Sequence, residues 1–166
     1  MPDIKIVALS DSHGRSELVR RVSDMEKPYD LMVHCGDIVD MSFEHFELES
    51  GLPFLAVRGN CDYDPMLPAE ITHDIGDKRI FITHGHTYGV KWGVRDLILR
   101  AQRNGAYIAL FGHTHEPYLE RDKGSGIYIL NPGSIARPRQ RSGIRTYAVI
   151  KLSEGDEPEF EFRQLQ

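Results

Sequence analysis

Apolar residues recur along this chain in short runs, at 6–9, 31–35, 54–57, 80–83 and 107–111, the first and fourth belonging to strands expected over 4–9 and 79–83. Runs of that length, bounded by glycine and polar residues, predict buried strands. Between the first two, Leu18, Val19, Val22 and Met25 recur at helical spacing, predicting an amphipathic helix over 15–27 that Pro28 ends. Strand, helix, strand implies parallel pairing. A shorter helix is expected over 42–49, with Ser42 as its cap and Phe43 and Phe46 facing inward. Runs 71–75 and 79–83 flank Gly76-Asp77-Lys78 and predict a hairpin. Val90, Val94, Leu97, Ile98 and Ala101 define a second amphipathic helix, closed by Asn104-Gly105. Beyond Gly105 the helical period is gone. Stretches 117–121, 127–130, 146–151 and 159–163 predict a β-rich second half, a meander of antiparallel strands. The class expected is α/β, with α+β character, in one domain over 1–166: two β-sheets packed face to face as a sandwich flanked by helices.

Every strand of the first group ends in a polar cluster. The clusters are Asp11-Ser12-His13, Gly36-Asp37, Gly59-Asn60-Cys61-Asp62, His84-Gly85-His86 and His113-Thr114-His115. In open α/β sheets, ligands bind outside the carboxyl ends of the strands. Asp11 and His13 stand two residues apart, and in an extended segment such residues point the same way. His113 and His115 repeat the spacing. A carboxylate at Asp37, after a glycine, can bridge two cations. Asn60 offers a neutral carbonyl oxygen and His84 another imidazole. Counting Asp37 twice, Asp11, His13, Asp37 and His115 form one ligand set, and Asp37, Asn60, His84 and His113 a second. Oxygen and nitrogen donors without thiolate suit transition-metal ions: manganese first, with nickel, iron, zinc or cobalt as alternatives. Two such ions can share a water, lower its pKa and clamp the oxygens of an in-line phosphoryl displacement.

Charge and cysteine content narrow the partners. The net charge of -5 argues against a broad polyanion-binding surface, so no extended nucleic acid is expected. Cys35 and Cys61 show no disulfide pattern and read as reduced thiols. Met1-Pro2-Asp3 has no basic segment, and no apolar run approaches the roughly 20 residues of a membrane span. A cytoplasmic protein away from membranes is expected.

The series Asp11-x-His13, Gly36-Asp37-x-x-Asp40, Gly59-Asn60-Cys61-Asp62, His84-Gly85-His86 and Gly112-His113-Thr114-His115 resembles the calcineurin-like metallophosphoesterase superfamily. More narrowly it is similar to the small bacterial and archaeal phosphodiesterase branch, whose loops Asn131-Pro132-Gly133-Ser134 and Pro138-Arg139 also match. The resemblance covers about residues 4–150. It implies the metallophosphoesterase sandwich, a dinuclear centre with the ligands divided as above, and hydrolysis of a small phosphodiester, nucleotide-derived among the options, by a metal-bridging hydroxide. The catalytic candidates are Asp37, Asn60, Cys61 and His86. Many members of the wider superfamily carry histidine where this chain has Cys61, and the narrower branch carries cysteine there. A thiol with a free pKa near 8.5 is a poorer proton donor near neutral pH than an imidazolium, so diesters with good leaving groups are expected to be preferred over monoesters.

Other readings stand beside these. The fold also serves in this superfamily as a non-catalytic scaffold that binds protein partners, and a nuclease is a further option. Asp40 is expected to cap the 42–49 helix or support the loop rather than bind metal, and Asp62 to orient the third cluster or a ligand histidine. His86 is read equally as facing substrate or as structural. His34, His45 and His73 are expected at the surface or in packing. Arg137, Arg139, Arg141 and Arg145 form a basic cluster, either on a solvated face or against a substrate phosphate. Trp92 is expected in the core or at a contact between copies. The strand carrying Phe160 and Phe162 offers an edge for a homo-oligomer.

Overall fold

Apolar runs in this chain become strands because both of their faces are covered. The computed structural model describes residues 3–39 and 46–166. β1 (Ile4–Leu9), α1 (Ser16–Glu26), β2 (Leu31–His34), α2 (Phe46–Ser50) and β3 (Phe54–Ala56) come first. The hairpin β4 (Glu70–Ile75) and β5 (Lys78–Thr83) follows, then α3 (Arg95–Arg103), β6 (Ile108–Leu110), β7 (Pro117–Arg121), β8 (Tyr128–Pro132), β9 (Arg145–Leu152) and β10 (Glu159–Leu165). The strands form two five-stranded sheets, ordered β10-β9-β1-β2-β3 and β4-β5-β6-β8-β7. The expectations on Asp40, Ser42, Phe43 and His45 lie outside the described residues.

Alternate residues of each central strand face opposite layers. Ile6 and Ala8 of β1, Leu31 and Val33 of β2, Ile80 and Ile82 of β5, and Ile108 and Leu110 of β6 form one buried cluster drawn from both sheets. The intervening Val7, Leu9 and Met32 pack against Leu18, Val19 and Val22 of α1. Phe81 and Ala109 do the same against Leu97 and Ala101 of α3. The result is a two-sheet sandwich with helices outside.

The second half is not the expected meander. β5, β6 and β8 pair in parallel, and β9 and β10 leave their sequence neighbours to join the first sheet, β9 antiparallel to β1. Burial explains this. Thr146, Tyr147, Ala148, Val149 and Ile150 are all buried, so β9 needs cover on both faces, and a place inside the first sheet provides it.

Two positions depart from a core reading. Trp92 is 94% exposed and belongs to no core, which leaves a contact between copies as its expected role. Met25 is exposed and Glu26 is buried instead. The Glu26 carboxylate receives the Tyr147 hydroxyl at 2.6 Å and the Arg163 guanidinium at 2.7 and 2.6 Å, and pairs with Lys5 Nζ at 2.9 Å. It therefore ties α1 to β1, β9 and β10. Burial alone would raise its pKa, but the bonds from Tyr147, Lys5 and Arg163 outweigh burial and hold it below the ordinary 4.5. Glu26→Gln is expected to cost about 2 kcal/mol at pH 7, the loss of charged hydrogen bonds. A carboxyl depressed in the folded state stabilises above its unfolded pKa, and that stability is lost as pH falls through the folded value. The gap between variant and wild type should thus shrink under acid. Denaturant titrations at pH 7 and pH 3 read this, and a pH-independent gap would count against it.

Candidate metal centre

The clusters predicted at strand ends meet on one rim. β1, β2 and β3 run parallel and deliver Asp11 and His13, Asp37, and Asn60. β5 and β6, parallel in the facing sheet, deliver His84 and His86, and His113 and His115.

The paired spacing does not rest on the extended backbone expected from the sequence. Asp11, His13, Asp37, His113 and His115 are not extended; they sit at φ of 56°, 46°, 57°, 71° and 61°. In this left-handed region a side chain other than glycine costs about 1–2 kcal/mol. Such strain persists where the surroundings over-determine it, and it gathers at functional sites. The loops interlock here: Asp11 N–H donates to Gly36 O at 3.0 Å, His13 N–H to Asp37 O at 2.9 Å and Gly112 N–H to His84 O at 3.1 Å. A methyl group on Gly59 would lie 2.1 Å from Asp37 Oδ1, so only glycine lets the third loop close on this carboxylate.

Two donor clusters result. One atom each from Asp11, His13, Asp37 and His115 lie within 4.8 Å of one another, and so do atoms of Asp37, His84 and His113. The amide oxygen of Asn60 joins the second cluster, 3.1 Å from His84 Nε2. Asp37 Oδ2 faces both, 3.7 Å from His13 Nε2 and 3.3 Å from His84 Nε2.

The tautomers can be deduced. Nδ1 of His84 lies 2.7 Å from the carbonyl of Cys35, and Nδ1 of His115 lies 2.6 Å from that of Arg137. A carbonyl only accepts, so each Nδ1 carries hydrogen and, in the neutral ring, each Nε2 presents a lone pair inward. His115 Nε2 then points its lone pair at Asp11 Oδ1, 3.0 Å away, and at His13 Nε2, 3.2 Å away. Asp11 Oδ1 is buried and accepts no aligned hydrogen bond. Lone pairs converging on a buried carboxylate oxygen repel unless a positive charge lies among them. Imidazoles that donate their outer N–H to a carbonyl while turning the inner nitrogen to a cluster are the usual metal-ligand arrangement. The donor set therefore fits divalent cations.

Titration behaviour follows from the same crowding. Burial would raise Asp11, yet His115, His13 and His84, whenever they carry a second proton, hold it far below the carboxylate range. Asp37, raised by burial but facing His84 in that same charged form, lies at about 2. His84 is lowered by burial, but Asp37 and Asp11 outweigh this and raise it. His113 falls to about 4 through burial and the charges of His84 and Lys91. Burial and Asp37 push the Cys61 thiol up.

A layer of residues behind the donors sets their positions. Asp62 was expected to orient the third cluster, and it does more. Its Oδ2 accepts Asp37 N–H and Gly59 N–H, both at 2.8 Å, and its Oδ1 accepts Val39 N–H at 2.7 Å, so one carboxylate pins two loops. Ser134 Oγ donates to Asp11 O at 2.8 Å, and Asn131 Nδ2 donates to Gly112 O at 2.9 Å. His34 is fully buried, its Nδ1 accepting Gly36 N–H at 3.2 Å and its Nε2 bonding Ser12 Oγ at 2.9 Å. Sequence reasoning placed it at the surface or in packing, because one histidine in a strand carries no signal of its partner 22 residues away. Cys61 stands beside the centre, its N–H on Asp37 Oδ1 at 2.8 Å. His86 lies with its ring centroid 5.4 Å from that of His84, and its buried Nδ1 has no partner. The arginine cluster divides: the Arg137 carbonyl holds His115, and Arg139 N–H donates to His115 O at 3.2 Å.

The chain has clear relatives. A model described as the Calcineurin-like phosphoesterase superfamily domain matches residues 4–155. A probable metallophosphoesterase of Bacillus subtilis, YsnB, is 35% identical over 150 residues, covering 90% of this chain and 85% of its own. The phosphodiesterase MJ0936 of Methanocaldococcus jannaschii is 26% identical, with 98% of both chains covered. A Streptococcus pneumoniae protein described as a predicted phosphoesterase superposes with a TM-score of 0.88 at 29% identity, covering 99% of this chain and 91% of that one. Vacuolar protein sorting 29 of Cryptosporidium parvum superposes with a TM-score of 0.72 over 98% of both chains, but at 14% identity the likeness is one of fold alone.

Proposed function

The chain belongs to the calcineurin-like phosphoesterase superfamily and is a metal-dependent phosphoric ester hydrolase; from there we propose that it hydrolyses small phosphodiesters at a centre of two divalent cations, manganese being the first choice. The observation that carries this reading is the convergence of imidazole and carboxylate lone pairs on Asp11 Oδ1 and Asp37 Oδ2. Asp11, His13, Asp37 and His115 would hold one ion, and Asp37, Asn60, His84 and His113 the other. Bound there, the two cations would lower the pKa of a shared water and balance charge on the phosphoryl oxygens.

The remaining work falls to the chain itself. Asp37 keeps the two clusters in one register, because its Oδ1 is fastened to Cys61 N–H while its Oδ2 faces both imidazole groups. Hydrolysis replaces the P–O bond to the leaving alcohol with a P–O bond from water, and the departing oxygen needs a proton or a stable anion. His86, whose ring centroid stands 5.4 Å from that of His84, is our candidate to supply that proton. The raised pKa of Cys61 makes its thiol hold its proton, so leaving groups that depart unaided should do best. This favours activated diesters over ordinary monoesters. Among the described residues no helix is long and apolar enough to cross a membrane, and we place the protein in the cytoplasm.

The test is to strip the protein with chelator, restore Mn²⁺, Ni²⁺, Zn²⁺ or Fe²⁺, and follow bis(4-nitrophenyl) phosphate and 4-nitrophenyl phosphate. Turnover of the diester should vanish on stripping and return at two equivalents of metal per chain, with the monoester slower. Metal binding without turnover of either ester would sink the proposal and favour a scaffold that binds protein partners.

A further inference from the structure

A cavity of ≈ 480 Å³ opens beside the donor clusters, lined by Val90, Lys91, Val94, Phe111, Tyr118 and Arg139 among others. That volume is within the usual range of about 300–1,000 Å³ for small-molecule sites. It shares its walls with the metal loops. Thr114, another lining residue, lies between His113 and His115 in sequence, and its Oγ1 is fixed by Asn131 Nδ2 at 2.9 Å. Val90 packs so closely on the His84-Gly85-His86 turn that a methyl group on Gly85 would lie 3.0 Å from its side chain. Arg139 is anchored by its backbone to His115.

The lining combines three chemistries. Tyr118 and Val94, both half-buried, form an apolar and aromatic wall, backed by Phe111 and Val90, which are themselves buried in the core behind it. Lys91 and Arg139 supply two cations, both on exposed side chains. Glu116 adds one carboxylate able to accept hydroxyl or amino hydrogens. A flat aromatic arm suits the wall, and a second anionic group suits the cations.

Resting on the phosphodiesterase reading, we infer that this cavity is the specificity subsite, taking a diester whose retained arm is a nucleoside bearing a further phosphate. The scissile phosphate lies at the donor clusters, the base goes against Tyr118, and the second phosphate goes to Lys91 and Arg139.

Three substrates with the same 4-nitrophenolate leaving group test this: methyl 4-nitrophenyl phosphate, thymidine 5′-(4-nitrophenyl phosphate), and the same thymidine diester with a 3′-phosphate. The wild type should prefer the third over the first in kcat/KM by at least about tenfold. The Lys91→Ala/Arg139→Ala double variant should lose at least about tenfold of that ratio. In parallel, calorimetry with thymidine 3′,5′-bisphosphate should show binding to the wild type that weakens about as much in the variant. An unchanged ratio together with unchanged or absent bisphosphate binding would overturn the subsite. Bisphosphate binding that weakens in the variant, with no hydrolysis of any diester under any metal, would uphold the subsite while removing the hydrolase reading.

Discussion

Asp37→Asn should leave a folded chain that hydrolyses diesters at least about 10³-fold more slowly, the upper end of what losing one transition-state donor costs. The amide can still accept Cys61 N–H through its oxygen. Its NH₂ would then replace Oδ2, the atom that faces His13 and His84, and would donate to an imidazole lone pair instead of sharing a cation with it. Both clusters lose their common oxygen at once. The melting temperature of the metal-free variant should fall, because the depressed pKa of Asp37 means that its charged form stabilises the folded chain above its unfolded pKa. Activity assays, metal titration and thermal melts on one preparation read all of this. Full activity in the variant would mean that Asp37 bridges nothing.

Asp62→Ala should have the next largest effect, although Asp62 touches no member of the donor set through its side chain except by the backbone of Asp37. Three backbone donors, on Asp37, Val39 and Gly59, lose their acceptor. A buried donor left unpaired costs about 1–3 kcal/mol, less where water can enter. A total near 3 kcal/mol lowers the melting temperature by roughly 6–12 °C for a chain of this size. The loops carrying Asp37 and Asn60 also lose their common anchor, so metal affinity should fall about 10–100-fold. Asp62→Asn, which keeps one acceptor, should be intermediate. Wild-type melting and wild-type affinity in Asp62→Ala would show that water replaces the carboxylate and that the loops hold themselves.

Much of this was legible in the chain. Runs such as Ile6 to Leu9 are apolar on successive residues, and only a strand covered on both faces makes use of that. The polar residues that break each run mark where the strand stops, and parallel order then sets the clusters on one rim. Elsewhere local signals misled. Met25 follows the helical apolar spacing but faces water, because Lys5, Tyr147 and Arg163 offer the neighbouring position a fully bonded site for Glu26. Trp92 is the chain's one tryptophan and invites burial, yet it lies in the turn before α3 and packs in no core cluster.

By itself, then, the sequence determined the strands, α1, the body of α3 and the residue types gathered at the strand ends, since each is a property of a contiguous stretch; it drew α3 too long, for that helix starts at Arg95 and leaves Val90 and Val94 before it. Tertiary structure alone decided which of those residues meet. His13 and His115 are 102 residues apart, and their nitrogens come within 3.2 Å only because two sheets present their loops to each other. It also decided that β9 lies beside β1, that Asp11, His13, Asp37, His113 and His115 adopt left-handed backbone, and that Asp62 binds two loops. Periodicity carries no information about these pairings. They are chosen by which distant surfaces can be buried together and which backbone donors would otherwise be left without an acceptor.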